Sequence, residues 1–257
     1  MAIFMTRCSL LLFSALLVSP NIISTRPSCG AESDPTDGFI PVPLTEYNFK
    51  LQKPYDTPLE DRYSFINGTR RLWVYADDKP HNPNSRTQPR TEVRIHGLDY
   101  FSGVWQFEGH GFVPNGTSGA TVAQIHGAAH GATTIILRIY NDNNGEMRYY
   151  SRDRVDGGDL YDKWFRLNII HDVDGGTVSV FIDGVKKFQV RDKGPPGADG
   201  FYFKCGVYAA PSSISYYMES RPQSGSPNST MVWDSQFCGQ ILGLSYCDYS
   251  PSEIIKD

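Results

Sequence analysis

The sequence has little of several features that mark common protein classes. Its 257 residues contain no long stretch with the 3.6-residue apolar period of an amphipathic helix, which excludes a helical bundle. The formal net charge is only -4, so nothing indicates a nucleic-acid partner. Five cysteines are too few for a disulfide-dense scaffold, and no Cys/His cluster has zinc spacing. We therefore expect neither a metal ion nor another cofactor.

Long apolar runs are also missing after the N-terminus, so we expect no membrane partner for the mature chain. The N-terminus itself has the pattern of a secretory signal, because Arg7 precedes a short apolar run, Leu10 to Val18, that Pro20 ends. A short membrane anchor is the alternative. The sequence thus predicts a signal peptide over residues 1–30, a loose Pro-rich leader over residues 31–43, and passage through the secretory pathway.

Three Asn-x-Ser/Thr triplets agree with secretion and are the candidate glycosylation sites. They begin at Asn67, Asn115 and Asn228. Among the cysteines, Cys205 lies on the apolar side of an alternating segment, which predicts a buried thiol. Cys238 and Cys247 could pair with each other, which would leave Cys29 unpaired.

The sequence is rich in aromatic residues and turn formers, with 15 Tyr, 14 Phe and 24 Gly. From Asn48 to about Glu219, segments that alternate between apolar and polar residues are separated by Asn-Gly and Asp-Gly turn signals. The clearest hairpin joins Phe165 to Val173 with Thr177 to Asp183. This pattern predicts one all-β domain, a sandwich or a barrel.

Three of the predicted strands carry unusual polar faces. Each face is set by the period of two: Arg90, Glu92 and Arg94 in RTEVR, Gln124 and His126 in QIH, and Lys204, Gly206 and Tyr208 in YFKCGVY. A salt-bridged solvent face is the structural alternative for the first set. Together the residue types suit β-elimination on a uronic acid. Arg and Gln stabilise the charge that develops beside the sugar carboxylate, while His and Tyr transfer the protons.

These three segments resemble, in order and in approximate spacing, the signature motifs of the alginate lyase-like family, polysaccharide lyase family seven. The resemblance covers residues 44–221 and implies a β-jelly-roll sandwich whose concave face forms a groove for a uronic-acid polysaccharide. It implies that Arg94 and Gln124 bind the substrate carboxylate and that His126 is the base or helps to neutralise the carboxylate. Tyr208 would be the acid and, for one uronate epimer, also the base. The remaining motif residues would line the groove: Arg90, Glu92, Lys204 and Tyr202.

Two longer stretches, Tyr63 to Ile95 and Val104 to Tyr140, resemble plant citrate-binding proteins, which are members of the same structural family. This resemblance implies an alternative function, a non-catalytic protein that binds citrate or an oligouronate in the same basic groove. For either function we expect a monomer. Arg and Lys would bind the carboxylates, and Arg offers two-point hydrogen bonding. It also implies a location in the cell wall or extracellular space, or in the vacuole lumen.

The sequence departs from the family pattern at two places. Ala209 and Ala210 stand where the third motif usually continues with x-Gln, so a subsite contact is either missing or replaced. After Arg221 the chain does not resemble the family's Trp-containing final strand, and we expect a poorly ordered tail over residues 222–257 and a sandwich that lacks a strand.

Two questions stay open in the sequence. The Gly-rich segment Gly127 to Ala132 could be a lid or a plain turn, and several aromatic side chains could stack on sugar rings or lie in the core: Trp73, Trp105, Trp164 and Tyr140.

Overall fold

The computed structural model describes residues 33–211 and two further strands, residues 229–234 and 240–243. The strands are β1 Ile40–Val42, β2 Phe49–Gln52, β3 Tyr63–Ile66, β4 Thr69–Val74, β5 Arg90–Ile95, β6 Val104–Phe112, β7 Ala120–Ala128, β8 Ala132–Tyr140, β9 Glu146–Tyr149, β10 Asp153–Asp156, β11 Trp164–Asp172, β12 Thr177–Ile182, β13 Val185–Arg191, β14 Tyr202–Ala209, β15 Ser229–Asp234 and β16 Gln240–Gly243. Helical structure in this part of the chain is limited to single 3-10 turns: Glu46–Asn48, Leu59–Asp61, Ala129–Gly131 and Asp142–Asn144. No helix here is long and apolar enough to cross a membrane.

The strands form two antiparallel sheets that enclose one core. One sheet has the order β10-β9-β8-β7-β14-β5-β2, and the other has the order β13-β12-β11-β6-β15-β4-β3, with β16 pairing with β6 and β1. Alternate residues of each strand face the partner sheet and are buried, such as Leu137, Phe203 and Phe107. The expected hairpin is β11–β12, in which Leu167 pairs with Ile182. The prediction of an all-β jelly-roll sandwich is confirmed.

The segment expected to be a loose leader contains ordered structure instead. β1 pairs with β16, Asp34 forms an ion pair with Arg166 at 2.6 Å, and Gln106 donates a hydrogen bond to the Pro35 carbonyl at 2.6 Å. Because of the hydrogen bonds from Arg166 and from Thr36, the pKa of Asp34 falls to about 2. The ion pair and the hydrogen bond are polar, and their partners lie far apart in the sequence. No apolar periodicity in residues 31–43 therefore predicts them.

The expected gap in the sandwich is filled by the tail. β15, with the sequence STMVWD, pairs with β4 along its whole length and with the end of β6, and β16 pairs with β6 from Trp105 to Glu108. The expectation that residues 222–257 lack regular structure therefore differs from the structure at these two strands. The pairing supplies hydrogen-bond partners for β4 and β6, which would otherwise be open edges.

Several sequence expectations lie outside the described residues: the signal peptide, Cys8, Cys29, Asn228, Cys238 and Cys247. Within the described part, Cys205 is buried in the core. Asn67 and Asn115 are both exposed, and Asn67 occupies the turn between β3 and β4 with a φ of 49°. Both positions are therefore open to an attached glycan.

Candidate functional site

The three polar segments occupy neighbouring strands in the middle of the seven-stranded sheet. RTEVR is β5 without its last residue, QIH lies in β7, and YFKCGVY is most of β14, which pairs with both. Lys204 lies opposite Arg94 on one side and opposite Gln124 on the other. Because directly paired residues share a face of a sheet, these side chains stand together on the face that points away from the core.

This outer face is a recess rather than an open surface. Four of its charged or polar side chains are nearly enclosed, with exposures of 8% for Arg90, 1% for Glu92, 3% for Gln124 and 4% for Lys204. Side chains that point away from the core can be this buried only if neighbouring side chains and loops cover them. A recess lined with cations and amides agrees with the groove that the family resemblance implies.

Glu92 stands at the centre of a buried polar cluster. Its carboxylate forms an ion pair with Lys204, accepts a hydrogen bond from the Gln124 amide, and lies 3.4 Å from Nη1 of Arg90. Lys204 also donates to Gln52 at 2.8 Å. Burial lowers the pKa of Lys204, while the charge of Glu92 opposes this shift. We call Glu92, Lys204 and Gln124 the buried polar centre.

His126 and Tyr202 form one end of the site. The Tyr202 hydroxyl lies 3.0 Å from Nδ1 of His126, and the two rings stack with centroids 5.3 Å apart. Burial lowers the pKa of His126, and the positive charge of Lys204 lowers it further. Burial also raises the pKa of Tyr202. The imidazole is therefore neutral and the phenol protonated at neutral pH, so one ring nitrogen of His126 can accept a proton.

Arg94 lies against the same end of the site. Its guanidinium is 3.8 Å from the centre of the Tyr202 ring, and Nη2 pairs with Asp99 at 2.8 Å. Its Nε is buried without a hydrogen-bond partner among the described residues, as is Nε of Arg90. Buried donors without partners are rare in proteins, so these two Nε atoms mark a polar cluster whose hydrogen bonds are incompletely satisfied.

Tyr208 and Arg90 form the other end. The Arg90 guanidinium lies 3.9 Å from the centre of the Tyr208 ring, and the two residues pair across β5 and β14. Tyr202 and Tyr208 are six positions apart on β14, which corresponds to roughly 20 Å between Cα atoms in a strand. The structure therefore brings His126 to Tyr202 and Tyr208 to Arg90, with the buried polar centre between the two ends.

Gly206 has a backbone role in this arrangement. It lies where the β14–β7 register shifts, its φ is +135°, and an added Cβ would come within 2.7 Å of the Thr91 carbonyl oxygen. The glycine is thus required by the bulge and by the close approach of β5, rather than by space for a ligand.

Two further residues of the site carry no motif in the sequence. Asp99 follows β5 and pairs with Arg94. His81 lies in the loop between β4 and β5, and burial followed by the charges of Arg90 and Lys204 lowers its pKa, so it lies near the cations of the recess. Both residues are in loops, where no periodicity assigns a direction to a side chain.

The open questions about loops and aromatics have structural answers. Gly127 to Ala132 comprises the last two residues of β7, the 3-10 turn Ala129–Gly131 and the first residue of β8, and the Gly127 carbonyl accepts a 2.7 Å hydrogen bond from Gly197. It is a hydrogen-bonded turn rather than a lid. Trp105 stacks on the buried ring of Tyr100, Tyr140 is itself buried, Trp73 is half-buried, and Trp164 is exposed.

The family of the chain follows from its similarity to known proteins. The family model for alginate lyases matches residues 42–229. The chain belongs to the alginate lyase family. A citrate-binding protein from Hevea brasiliensis is 56% identical over 207 residues, which is 80% of this chain and 83% of that protein. The resemblance to plant citrate-binding proteins is thereby confirmed.

Solved structures of this family share the fold at low sequence identity. The alginate lyase AlgAT5 of polysaccharide lyase family 7 is 17% identical with a TM-score of 0.52, and the match covers 72% of this chain and 90% of that one. A marine alginate lyase of the same family from Zobellia galactanivorans is 15% identical with a TM-score of 0.51, covering 78% of this chain and 96% of that one. These likenesses support the jelly-roll fold.

The buried polar centre generates a stability prediction. Glu92→Leu leaves Lys204 buried beside no anion, and we expect it to lower the free energy of unfolding by about 3–5 kcal/mol. The double variant Glu92→Leu/Lys204→Met removes both charges and should be more stable than Glu92→Leu alone. Urea unfolding followed by circular dichroism measures both effects. If the double variant loses as much free energy of unfolding as Glu92→Leu and Lys204→Met lose together, the two residues are not coupled.

Proposed function

We propose that this protein is a polysaccharide lyase that cleaves a 4-O-linked polyuronate by β-elimination, with His126 as the base. The observation that carries the proposal is the position of His126, which contacts the Tyr202 hydroxyl at 3.0 Å in a recess where burial and the charge of Lys204 lower its pKa. A site that only binds carboxylates gains most from a protonated histidine. A site that removes a proton needs an unprotonated one, and burial beside Lys204 provides it.

In the proposed reaction, Arg94 and Gln124 bind the uronate carboxylate and stabilise the negative charge that spreads into it. His126 takes the proton from C5, a double bond forms between C4 and C5, and the C4–O4 bond breaks. Tyr208 donates its proton to the departing oxygen, and because Tyr208 and His126 stand at opposite ends of the recess, this step requires their side chains to reach toward each other over the buried polar centre. Tyr202 holds the His126 ring in place through its 3.0 Å contact.

The test is the ultraviolet absorbance of unsaturated uronate ends, measured on alginate, glucuronan and polygalacturonate. The protein should generate the chromophore on at least one polymer. His126→Ala and Tyr208→Phe should each lower kcat by about 10²–10⁴-fold, because each removes a proton-transfer group. The matched control is Tyr55→Phe, which removes the hydroxyl of an exposed tyrosine and should leave the rate unchanged. A folded protein that is inactive on every polymer would refute the lyase proposal for these substrates.

The lowered pKa of His126 sets the pH dependence of the reaction. The base must be unprotonated in the free enzyme, so kcat/KM rises as the pH passes upward through the pKa of His126. Because that pKa lies below the ordinary value of 6.5, we expect the midpoint of the acid limb below pH 6.5. A rate profile on the active polymer measures it, and an NMR titration of His126 measures the same pKa without turnover. A midpoint above pH 6.5 in both would contradict the assignment.

Citrate or oligouronate binding without catalysis is the second candidate. It is favoured by the 56% identity to a protein named for citrate binding, and by the cations that line the recess, Arg90, Arg94 and Lys204. Calorimetric titration with citrate tests it. Binding that is lost in Arg94→Gln and kept in His126→Ala, together with no lyase activity, would favour this function over the first.

We also propose that the chain enters the secretory pathway and reaches the cell wall, the extracellular space or the vacuole lumen, with glycans on Asn67, Asn115 and Asn228. The N-terminal sequence and the exposure of Asn67 and Asn115 support this. A loss of mass on endoglycosidase treatment of the natively produced protein would demonstrate the glycans, and an unchanged mass would exclude them.

A further inference from the structure

One row of side chains crosses the outer face of the seven-stranded sheet beyond the predicted motifs. Arg90 pairs with Tyr208, Tyr208 with Thr121, and Thr121 with Arg138. Residues paired in this way share a face, so Arg138 on β8 stands on the same side of the sheet as Tyr208 and Arg90. Its neighbours in sequence, Leu137 and Ile139, are fully buried in the core on the opposite side.

Arg138 is a buried cation with which no carboxylate of the described residues pairs. It is 4% exposed, its Nε donates to the Thr121 hydroxyl at 3.0 Å, and its guanidinium lies 5.9 Å from the Tyr150 ring centre. No carboxylate within the described part of the chain forms an ion pair with it. Its two terminal nitrogens have no hydrogen-bond partner there, and they are not among the fully enclosed atoms that lack one. They therefore reach the surface of the recess with their hydrogen-bonding capacity unused.

The neighbouring arginines show that this is a specific feature of Arg138. Arg148, which pairs with Arg138 across β8 and β9, is bound by Asp142 at 2.7 Å and by Glu146 at 2.5 Å. Arg154, next in the row, lies 3.1 Å from Glu146. Protein carboxylates thus neutralise these two positions. Buried charges in proteins are normally paired, and an unpaired guanidinium with open terminal nitrogens is suited to an external carboxylate.

We propose that Arg138 forms a second carboxylate subsite, with Thr121 as the residue that positions its guanidinium. The inference rests on the proposed polyuronate function. It adds that the ligand is an extended chain rather than a compact carboxylate. Arg94 and Arg138 are three strands apart, and two residues on β8 separate their rows, so their Cα atoms are roughly 16 Å apart. A ligand that contacts both must extend across the strands, as a chain of several uronate units does.

The experiment compares a saturated tetrauronate with citrate by titration calorimetry. All proteins carry His126→Ala, so that the oligomer is not consumed during the titration. Adding Arg138→Gln should weaken tetrauronate binding about tenfold to a hundredfold, because it removes charge-assisted hydrogen bonds. Citrate affinity should change less than about twofold. Arg138→Lys, which keeps the charge and loses the planar fork, should weaken the tetrauronate by an intermediate factor.

The matched control is Arg71→Gln, which removes the same charge from an exposed position on β4, in the other sheet. It should leave both affinities unchanged, which separates a local subsite from a general effect of net charge. Retained citrate binding in Arg138→Gln also shows that the recess has kept its structure.

Two results would overturn the subsite. Unchanged tetrauronate affinity in Arg138→Gln would show that Arg138 does not contact the ligand, and an equal loss for citrate and tetrauronate would place it in the primary site. Either result leaves the lyase proposal intact if the parent chain, with His126 present, cleaves the polymer. Failure of the lyase proposal has a different signature, since the parent chain is then inactive on every polymer, whether or not the His126→Ala protein binds the tetrauronate.

Discussion

The enclosed carboxylate of Glu92 is the interaction on which the rest of the site depends. A buried anion is stable only with several donors around it, and here Lys204, Gln124 and Arg90 surround it. Each of these contacts also affects the position or the pKa of another residue of the site. Glu92 fixes one amide N–H of Gln124 and brings Arg90 beneath the ring of Tyr208. It also keeps a positive Lys204 in the interior, and that charge lowers the pKa of His126.

The register shifts of β14 and β7 determine which polar side chains share a row on the outer face of the sheet. An extra residue in β14 near Gly206 shifts the register with β7, and a second shift separates β7 from β8 between Thr121 and Ala123. Without them, strict alternation would continue in step across all four strands. With them, Tyr208, Thr121 and Arg138 share one row, while Lys204 and Gln124 share another. The shifts thus bring Arg138 into the row of Tyr208, whereas the two ends of the recess follow from the length of β14, whose pairing with β5 has no shift.

Period-two alternation was enough to predict which motif residues share a face, because RTEVR and QIH follow it without interruption. It could not predict the bulge at Gly206, whose glycine looks like a space-making residue in the sequence. Arg138 was hidden for a related reason, since it stands inside the apolar run IILRIY, where a single cation looks like an interruption of a core strand. Asp99 and His81 lie in loops. The strand STMVWD is too short and too weakly alternating to be recognised without its partners β4 and β6.

In the proposed reaction, the internal partners of Arg94 and Gln124 favour catalysis over simple binding. Arg94 already pairs with Asp99, and Gln124 already donates to Glu92. A substrate carboxylate that enters the recess must therefore compete with Asp99 for Arg94 and share Gln124 with Glu92. Its binding free energy in the ground state is smaller than it would be with two unoccupied donors. As the C5 proton leaves, additional negative charge accumulates on the carboxylate oxygens, and the same donors then interact more strongly with it. Interactions that strengthen only along the reaction lower the barrier without tightening the ground state. A neutral His126 beside those donors can take the C5 proton and so generate this additional charge.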